Sequence, residues 1–400
     1  MTGVAAAPRV LMVVEKLHGL GGAQQQALRL ARALRAQDVD AKIVTGRWRR
    51  SEPAHAVVDG VSVTAVFTAF KGFHWRGFRK VGMYIYLLSL WLYLWRRRRE
   101  YDLIHVHSAT VSAFAVAVAG RRLKKPTLMK VMASGEWSDF RRMRNGSEVP
   151  GSAWMLRKLR TIDRVVCLNP EAESECAAEG FGPERRVSIP NGFPVRDVPP
   201  APPREAPETI VVVFAGRLDA QKGPGTLVEA AGILLRGQGA ESPRIEVRLL
   251  GDGPQRAELE RRVCALGLER TVRFLGRVDD VAWHLREATM FVLPSSSEGI
   301  SNALLEAAAH GLPCVATRIP GNVEIITDRE TGLLVPHGDA GALAASILEL
   351  ARDASLRERL SRAVRLHVER NFDIDEVARR YALVYRELLD HRASIGVLSP

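Results

Sequence analysis

The chain predicts an α/β protein made of two Rossmann-like domains that face each other across a cleft. Three observations lead there. Apolar runs of strand length alternate with helical stretches along 400 residues, the pattern of a parallel sheet covered by helices on both faces. The alternation breaks once, at a proline-rich segment near the middle, and then restarts. The length exceeds one ordinary core, so two domains of about 150–200 residues are expected.

In chain order, RVLMVV (9–14) reads as a buried strand, followed by a glycine loop and a helix with Ala27, Leu28, Ala31 and Leu34 on one face. AKIVTG (41–46), the segment 102–107 of YDLIHVHS, TLMKVMAS (127–134) and RVVCLN (164–169) read as further strands between helical stretches. From Pro194 to Pro207, six prolines in fourteen residues exclude a helix or a central strand. That segment predicts a stiff linker, 194–207, between a first domain of 1–193 and a second of 208–375. In the second half TIVVVFAG, IEVRLLG, TVRFLG, TMFVLPS, LPCVAT and TGLLVP read as strands. GPGTLVEAAGILLRG, PQRAELERRVCALG, VAWHLREA and ALLEAAAHG read as the helices between them. A terminal helix over 376–393 is free to pack back on the first domain.

Composition narrows the function classes. An apolar fraction of 46% and a charged fraction of 26% fit a soluble globular protein. The four cysteines, Cys167, Cys176, Cys264 and Cys314, form no CxxC pair, so reduced, buried thiols are expected and no structural zinc. MTGVAAAPRV lacks a basic region and a long apolar run, so no secretory signal is expected. The net charge of +12 is uneven: residues 1–200 hold 32 Lys+Arg against 17 Asp+Glu, leaving 25 against 28 in residues 201–400. An electrostatic partner should therefore meet the first half. Dispersed cations without an RRM, KH or helix-turn-helix signature argue against nucleic acid.

Two segments carry candidate chemistry. In VVVFAGRLDAQKGPG, Arg217 and Lys222 lie in the loop between a strand and a helix. Backbone N–H groups and the helix dipole at such a loop favour an anion, and an Arg fork with a Lys point charge suits a diphosphate. In LPSSSEGISNALLEAAAHG, Glu298 sits in a loop past a strand end and Glu306 eight residues later on the following helix, with Ser301 or Asn302 as its cap. Ionised carboxylates only accept hydrogen bonds, which suits a ligand rich in hydroxyls. Gly21 and Gly22 allow a backbone to approach a ligand, or simply form a tight turn. Each segment alone also fits an ordinary surface loop.

Together, GRLdaqKG and SEGISNALLEAAAHGLPCVAT, with the glycine loop, YDLIHVHS, NGF, RFLGRV and GNVEIITDRETGLLVPHGD, resemble the signature of retaining glycosyltransferase family 4, the group 1 glycosyl transferases. The resemblance covers nearly the whole chain and implies the B-type glycosyltransferase fold. It implies that Arg217 and Lys222 bind the donor diphosphate, that Glu298 contacts donor-sugar hydroxyls, and that the backbone of Gly299, Ile300, Ser301 and Asn302 steadies sugar and phosphate. Glu306 would accept from the ribose, Arg277 and Val278 would flank the base, and Gly21 and Gly22 would face the diphosphate or acceptor. His107 matches the family histidine near the donor sugar, with His105 on the same strand face leaving open which ring reaches the ligand. A UDP- or GDP-sugar donor and a glycan or lipid-linked acceptor are implied. No metal or other cofactor is expected, since no DxD-type motif is present. A non-catalytic sugar-nucleotide scaffold and a sugar-nucleotide epimerase of the same fold are the alternatives.

The segment 70–100 departs from this plan. Val81 to Trp95 holds 15 uncharged residues, with Arg79 and Lys80 before them and Arg96 to Arg99 after them. It is too short to span a bilayer, which takes about 20 residues. It reads either as a packed core helix or as a helix lying on an anionic membrane surface. The corresponding expectation is a cytoplasmic protein, peripheral on the inner face of the plasma membrane. Ser134-Gly135-Glu136 stands where the family more often has HG, which leaves the acceptor open.

Overall fold

The computed structural model describes residues 7–17, 21–68, 81–146, 149–199, 208–237 and 244–397. The chain divides into two compact units, one of Met1–Gly192 with Ile374–Pro400 and one of Phe193–Asp373.

Unit 1 is an eight-stranded sheet. Its strands are β1 (Arg9–Val14), β2 (Asp40–Arg47), β3 (His55–Val58), β4 (Val61–Phe67), β5 (Leu103–His107), β6 (Thr127–Lys130), β7 (Arg164–Cys167) and β8 (Arg186–Ser188). The order is β3-β4-β2-β1-β5-β6-β7-β8. All pairs are parallel except β3 with β4, a hairpin closed by Asp59 and Gly60 at positive φ. That DG turn between alternating runs is a strong hairpin signal, and the reading as a purely parallel sheet passes over it. The helices are α1 (Gly22–Leu34), α2 (Val81–Arg96), α3 (Val111–Leu123), α4 (Asp139–Arg144), α5 (Ser152–Leu159) and α6 (Pro170–Ala178). They cover two apolar layers, one on each face of the sheet.

Unit 2 is a six-stranded, wholly parallel sheet of β9 (Thr209–Ala215), β10 (Arg244–Leu250), β11 (Val272–Gly276), β12 (Met290–Leu293), β13 (Cys314–Thr317) and β14 (Leu333–Val335). Its helices are α7 (Pro224–Gly237), α8 (Arg256–Ala265), α9 (Val281–Arg286), α10 (Asn302–Ala309), α11 (Pro320–Val323), α12 (Ala340–Arg352) and α13 (Ala354–Asn371). The last two were not among the sequence-predicted elements, although Asp339 and Asp353 cap them by accepting from Ala342 N and Leu356 N. The terminal helix, α14 (Ile374–Val397), belongs to unit 1 and packs against α1.

The expected linker differs from the structure in its first half. Pro194–Pro199 is part of unit 2: Val195 is fully buried, and Arg365 donates to the carbonyls of Val195 and Val198. The prolines exclude an α-helix or a central strand but not packing, and Val195–Asp197 forms a 3-10 helix. Residues 200–207 lie outside the described residues.

The strand orders locate the ligand edge. In unit 2 the order β11-β10-β9-β12-β13-β14 reverses direction between β9 and β12. In unit 1 the parallel strands reverse between β1 and β5. At such a point the two following loops leave on opposite faces and open a crevice at the carboxyl ends of the strands.

Candidate active site

The loops that leave the two switch points carry the residues singled out from the sequence. In unit 2, Arg217 and Lys222 follow β9, and Glu298 follows β12. The structure joins them: Lys222 Nζ donates to Glu298 Oε1 at 2.6 Å, with Glu298 buried and Lys222 three-quarters covered. Seventy-six residues separate the pair, and backbone contacts hold the loops in place. Ser296 N donates to Gln221 O at 2.8 Å. Gly223, at φ +66°, lies where a Cβ would stand 2.2 Å from Pro294 O, so only glycine lets the loops touch.

Arg217 is exposed and lies 3.4 Å from Asp219. Its loop is clamped from the other side by Gly251-Asp252-Gly253, after β10. Leu218 N donates to Asp252 O, and Gln255 N donates to Leu218 O. A Cβ on Gly251 would meet Gly216 O at 1.8 Å and one on Gly253 would meet Leu218 O at 2.3 Å. These glycines were missed in the sequence, where LLGDGP directly after an apolar strand was the available signal. Gly251 N also donates to Gly276 O, which ties in the start of the Arg277-Val278 loop. Arg277 is exposed and Val278 half-buried there, beyond the edge strand β11.

Ser301, not Asn302, caps α10: its hydroxyl accepts from Leu304 N at 3.4 Å. Ile300 and Ser301 are buried, while Gly299, Asn302 and Glu306 are half-buried. Asn302 and Glu306 are one turn apart on α10. Beneath this loop sits a second feature the sequence reading did not assign. A Cβ on Gly321 would lie 2.4 Å from Glu298 O and 2.6 Å from Gly299 O. Fully buried Asn322 donates to Thr317 O, and Thr317 donates to Ser295 O. The Glu298 loop therefore rests on a shelf built from the PGN turn.

In unit 1, Gly21 is the N-cap of α1 at φ −82°, and both Gly21 and Gly22 are exposed. Gly21 adopts ordinary extended backbone, so its conformation does not demand glycine. His107 ends β5 and is followed by Ser108 at φ +140°, an uncommon conformation for a side-chain-bearing residue and one that concentrates at working sites. Thr110 links this loop to the loop after β1 through Glu15. Asp139, buried, accepts from Ala109 N and Met132 N and so joins the loops after β5 and β6.

The two histidines are buried side by side. His105 is fully buried, and its Nδ1 is 2.8 Å from the Tyr385 hydroxyl on α14. His107 stacks on it with ring centroids 4.1 Å apart, and neither ring nitrogen of His107 has a protein partner among the described residues. Burial holds both imidazoles well below their ordinary value. Both rings are therefore neutral near pH 7, and both ring nitrogens of His107 lie buried beside His105.

Beside His107 in the ladder lies Lys130, a buried amine whose Nζ donates to Asn191 Oδ1 at 2.7 Å. Burial lowers it from 10.5 to about 7. The unfolded chain keeps the lysine proton up to its ordinary value, whereas the folded protein releases it near 7. Stability should therefore rise with pH from about 7 to 9, with a slope of up to about 1.4 kcal/mol per pH unit. Urea unfolding of Lys130→Met should lose that slope; equal slopes in variant and parent would show that Lys130 stays charged.

Two family models match the chain: "Glycosyl transferase 4-like domain" over residues 21–192 and "Glycosyl transferases group 1" over residues 209–353. The chain belongs to the group 1 glycosyltransferases. Relatives in this family include the lipopolysaccharide core biosynthesis glycosyltransferase LpsE of Rhizobium meliloti (strain 1021), 36% identical over 213 residues, which are 52% of this chain and 59% of that protein. Another is the N-acetyl-alpha-D-glucosaminyl L-malate synthase of Bacillus anthracis, 33% identical over 141 residues, which are 35% of this chain and 37% of that protein. The matched segments thus span from about a third to about three-fifths of these relatives. Among solved structures, sucrose-phosphate synthase from Thermosynechococcus elongatus is similar with a TM-score of 0.78 at 21% identity, covering 96% of this chain and 100% of that one. HepE of Anabaena, in complex with UDP and glucose, is similar with a TM-score of 0.74 at 18% identity, covering 95% and 100%. At those identities they share the B-type glycosyltransferase fold with this family member.

Proposed function

We propose that this protein is a retaining glycosyltransferase that moves a sugar from a nucleoside-diphosphate sugar to a glycan or lipid-linked acceptor in cell-envelope or polysaccharide synthesis. The observation that carries the reading is the Lys222–Glu298 pair at the switch point of unit 2. It puts a phosphate-binding cation and a hydroxyl-binding carboxylate 2.6 Å apart, which matches the junction of a diphosphate and its sugar. The bond from the anomeric carbon to the diphosphate breaks with oxocarbenium-like character, and negative charge moves onto the leaving group. Arg217 and Lys222 bind that charge more tightly as it grows, which is differential transition-state binding. The acceptor hydroxyl forms the new bond on the departing face and passes its proton to a phosphate oxygen, which preserves the anomeric configuration. Glu298 orients the sugar and is not the nucleophile. Glu306 takes the ribose hydroxyls, and Arg277 and Val278 flank the base. No metal takes part, because the two cations supply the charge.

LpsE, by its name a lipopolysaccharide core enzyme, supports an envelope acceptor, and the UDP in HepE supports a UDP-sugar donor. The reading places the enzyme in the cytoplasm, at the inner face of the plasma membrane. Screening UDP- and GDP-sugars by thermal unfolding should find one that raises the melting temperature saturably, since it binds only the folded state. Glu306→Ala should weaken that ligand. A panel without any saturable stabilisation would remove the donor assignment.

A further inference from the structure

The helix α2 has two apolar faces. Tyr86, Leu90 and Leu94 are fully buried in the unit 1 core. On the opposite side Val81, Tyr84, Leu88 and Trp95 recur at spacings of three, four and seven residues and remain exposed, Leu88 at 59% and Trp95 at 44%. A core helix needs only the first face. The stripe is extended by Trp154 on α5, which is 51% exposed. Its helix is brought alongside by the Tyr84 hydroxyl donating to Pro150 O and by the packing of α3 against both α2 and α5. Five large apolar residues thus share one side of unit 1. Single exposed apolar residues are ordinary, but a contiguous patch marks an interaction surface.

The charges around the stripe select its partner. Neither α2 nor α5 contains an acidic residue. Arg96, Arg98 and Arg99 are exposed at one end, Arg157 and Lys158 at the other. Trp95 and Trp154 each carry a cation on the ring: Arg98 lies 5.3 Å from the Trp95 centroid and Lys158 lies 5.6 Å from that of Trp154. An indole beneath a cation is the arrangement that suits a headgroup layer, where the ring meets acyl chains and the charge meets phosphates. From Tyr84 to Trp95 the stripe runs about 16 Å along the helix. Among the described residues no helix is long and apolar enough to cross a membrane.

We propose that the α2–α5 face of unit 1 docks on an anionic phospholipid surface, with Leu88, Trp95 and Trp154 inserted at the acyl boundary and Arg96, Arg98, Arg99 and Lys158 on lipid phosphates. The inference rests on the lipid-linked acceptor reading and gives it a physical site: the enzyme is held where such an acceptor resides. The bilayer is favoured over a second copy of this chain because two such basic faces would repel each other.

Co-sedimentation tests it with equimolar phosphatidylglycerol and phosphatidylcholine vesicles at low salt, where screening is weakest. The full-length protein should partition to these vesicles, and about tenfold or more weakly to phosphatidylcholine alone. Leu88→Asp, and separately Arg98→Glu with Arg99→Glu, should each weaken partitioning about tenfold or more, with unchanged melting temperature because these side chains are exposed. Equal partitioning to neutral and anionic vesicles would overturn the proposal, as would variants that bind like the parent. So would a parent dimer that Leu88→Asp converts to monomer without any vesicle binding. Glu306→Ala separates this test from the catalytic reading: it should weaken sugar-nucleotide stabilisation and leave vesicle partitioning intact.

Discussion

Lys222→Met lowers kcat by about two to three orders of magnitude, and Arg217→Ala by a similar factor, with the donor that stabilises the protein best. In the proposed mechanism both cations meet the charge that develops on the leaving diphosphate, so the loss should fall on the transition state more than on ground-state binding. The Lys222 variant has a second effect that Arg217→Ala lacks. Glu298 is buried, and among the described residues it pairs with Lys222. Removing the ammonium strands a buried carboxylate, which costs about 1–3 kcal/mol of stability. Arg217 is exposed, and the Asp219 carboxylate it faces at 3.4 Å keeps the hydrogen bond from Lys222 N when Arg217 is removed. Glu298→Gln lowers kcat as well, and the double variant Lys222→Met with Glu298→Gln is less impaired than the product of the two single losses. A coupling of about 1 kcal/mol or more is the signature of residues acting as one unit. Strict additivity in the four-variant cycle would mean the 2.6 Å contact has no part in catalysis.

Gly251→Ala destabilises unit 2 by about 3 kcal/mol or more, among the largest effects a single methyl group produces. Gly251 sits at φ +136°, and the added carbon would lie 1.8 Å from Gly216 O. The carbonyl belongs to the backbone of the Arg217 loop, so relief requires moving the anion-binding loop itself. The variant should therefore melt earlier and lose donor binding together. Gly338→Ala is the matched control: its φ is +77° but nothing lies within 4 Å of the new carbon. It should cost only the conformational penalty of about 1–2 kcal/mol. Comparable melting temperatures for the two variants would show that the close approach to Gly216 is relieved elsewhere.

Much of this site was legible in the residues themselves. Strand ends, glycine loops and the serine cap of α10 are local events, set by apolar run length, backbone freedom and side chains that hydrogen-bond within three residues. Arg217, Lys222 and Glu298 stand out because their loops follow apolar strands, and Glu306 because it lies on the helix that follows the Glu298 loop. The β3–β4 hairpin and the helices α12 and α13 also had local signals, a DG turn and two aspartate caps. The reading passed over them because alternation of strand and helix dominated it. The glycine pair 21–22 read as a close backbone approach or a tight turn, and Gly21 adopts an ordinary extended conformation as the cap of α1.

What the sequence by itself determined is which segments form strands, which loops end on charges, and that the first half carries the positive balance. Tertiary structure alone decided which of those groups meet. Lys222 and Glu298 are joined only because β9 and β12 are neighbours at a reversal of strand order. His105 is tied to α14 because the hydroxyl of Tyr385, 280 residues away, shares a hydrogen bond with its Nδ1. The second apolar face of α2 emerged only when the first was seen to be filled. Local propensity acts over a few residues and is written in each segment. Contact between distant segments depends on strand order and on which backbones approach closely enough to exclude a side chain, and neither is a property of any one segment.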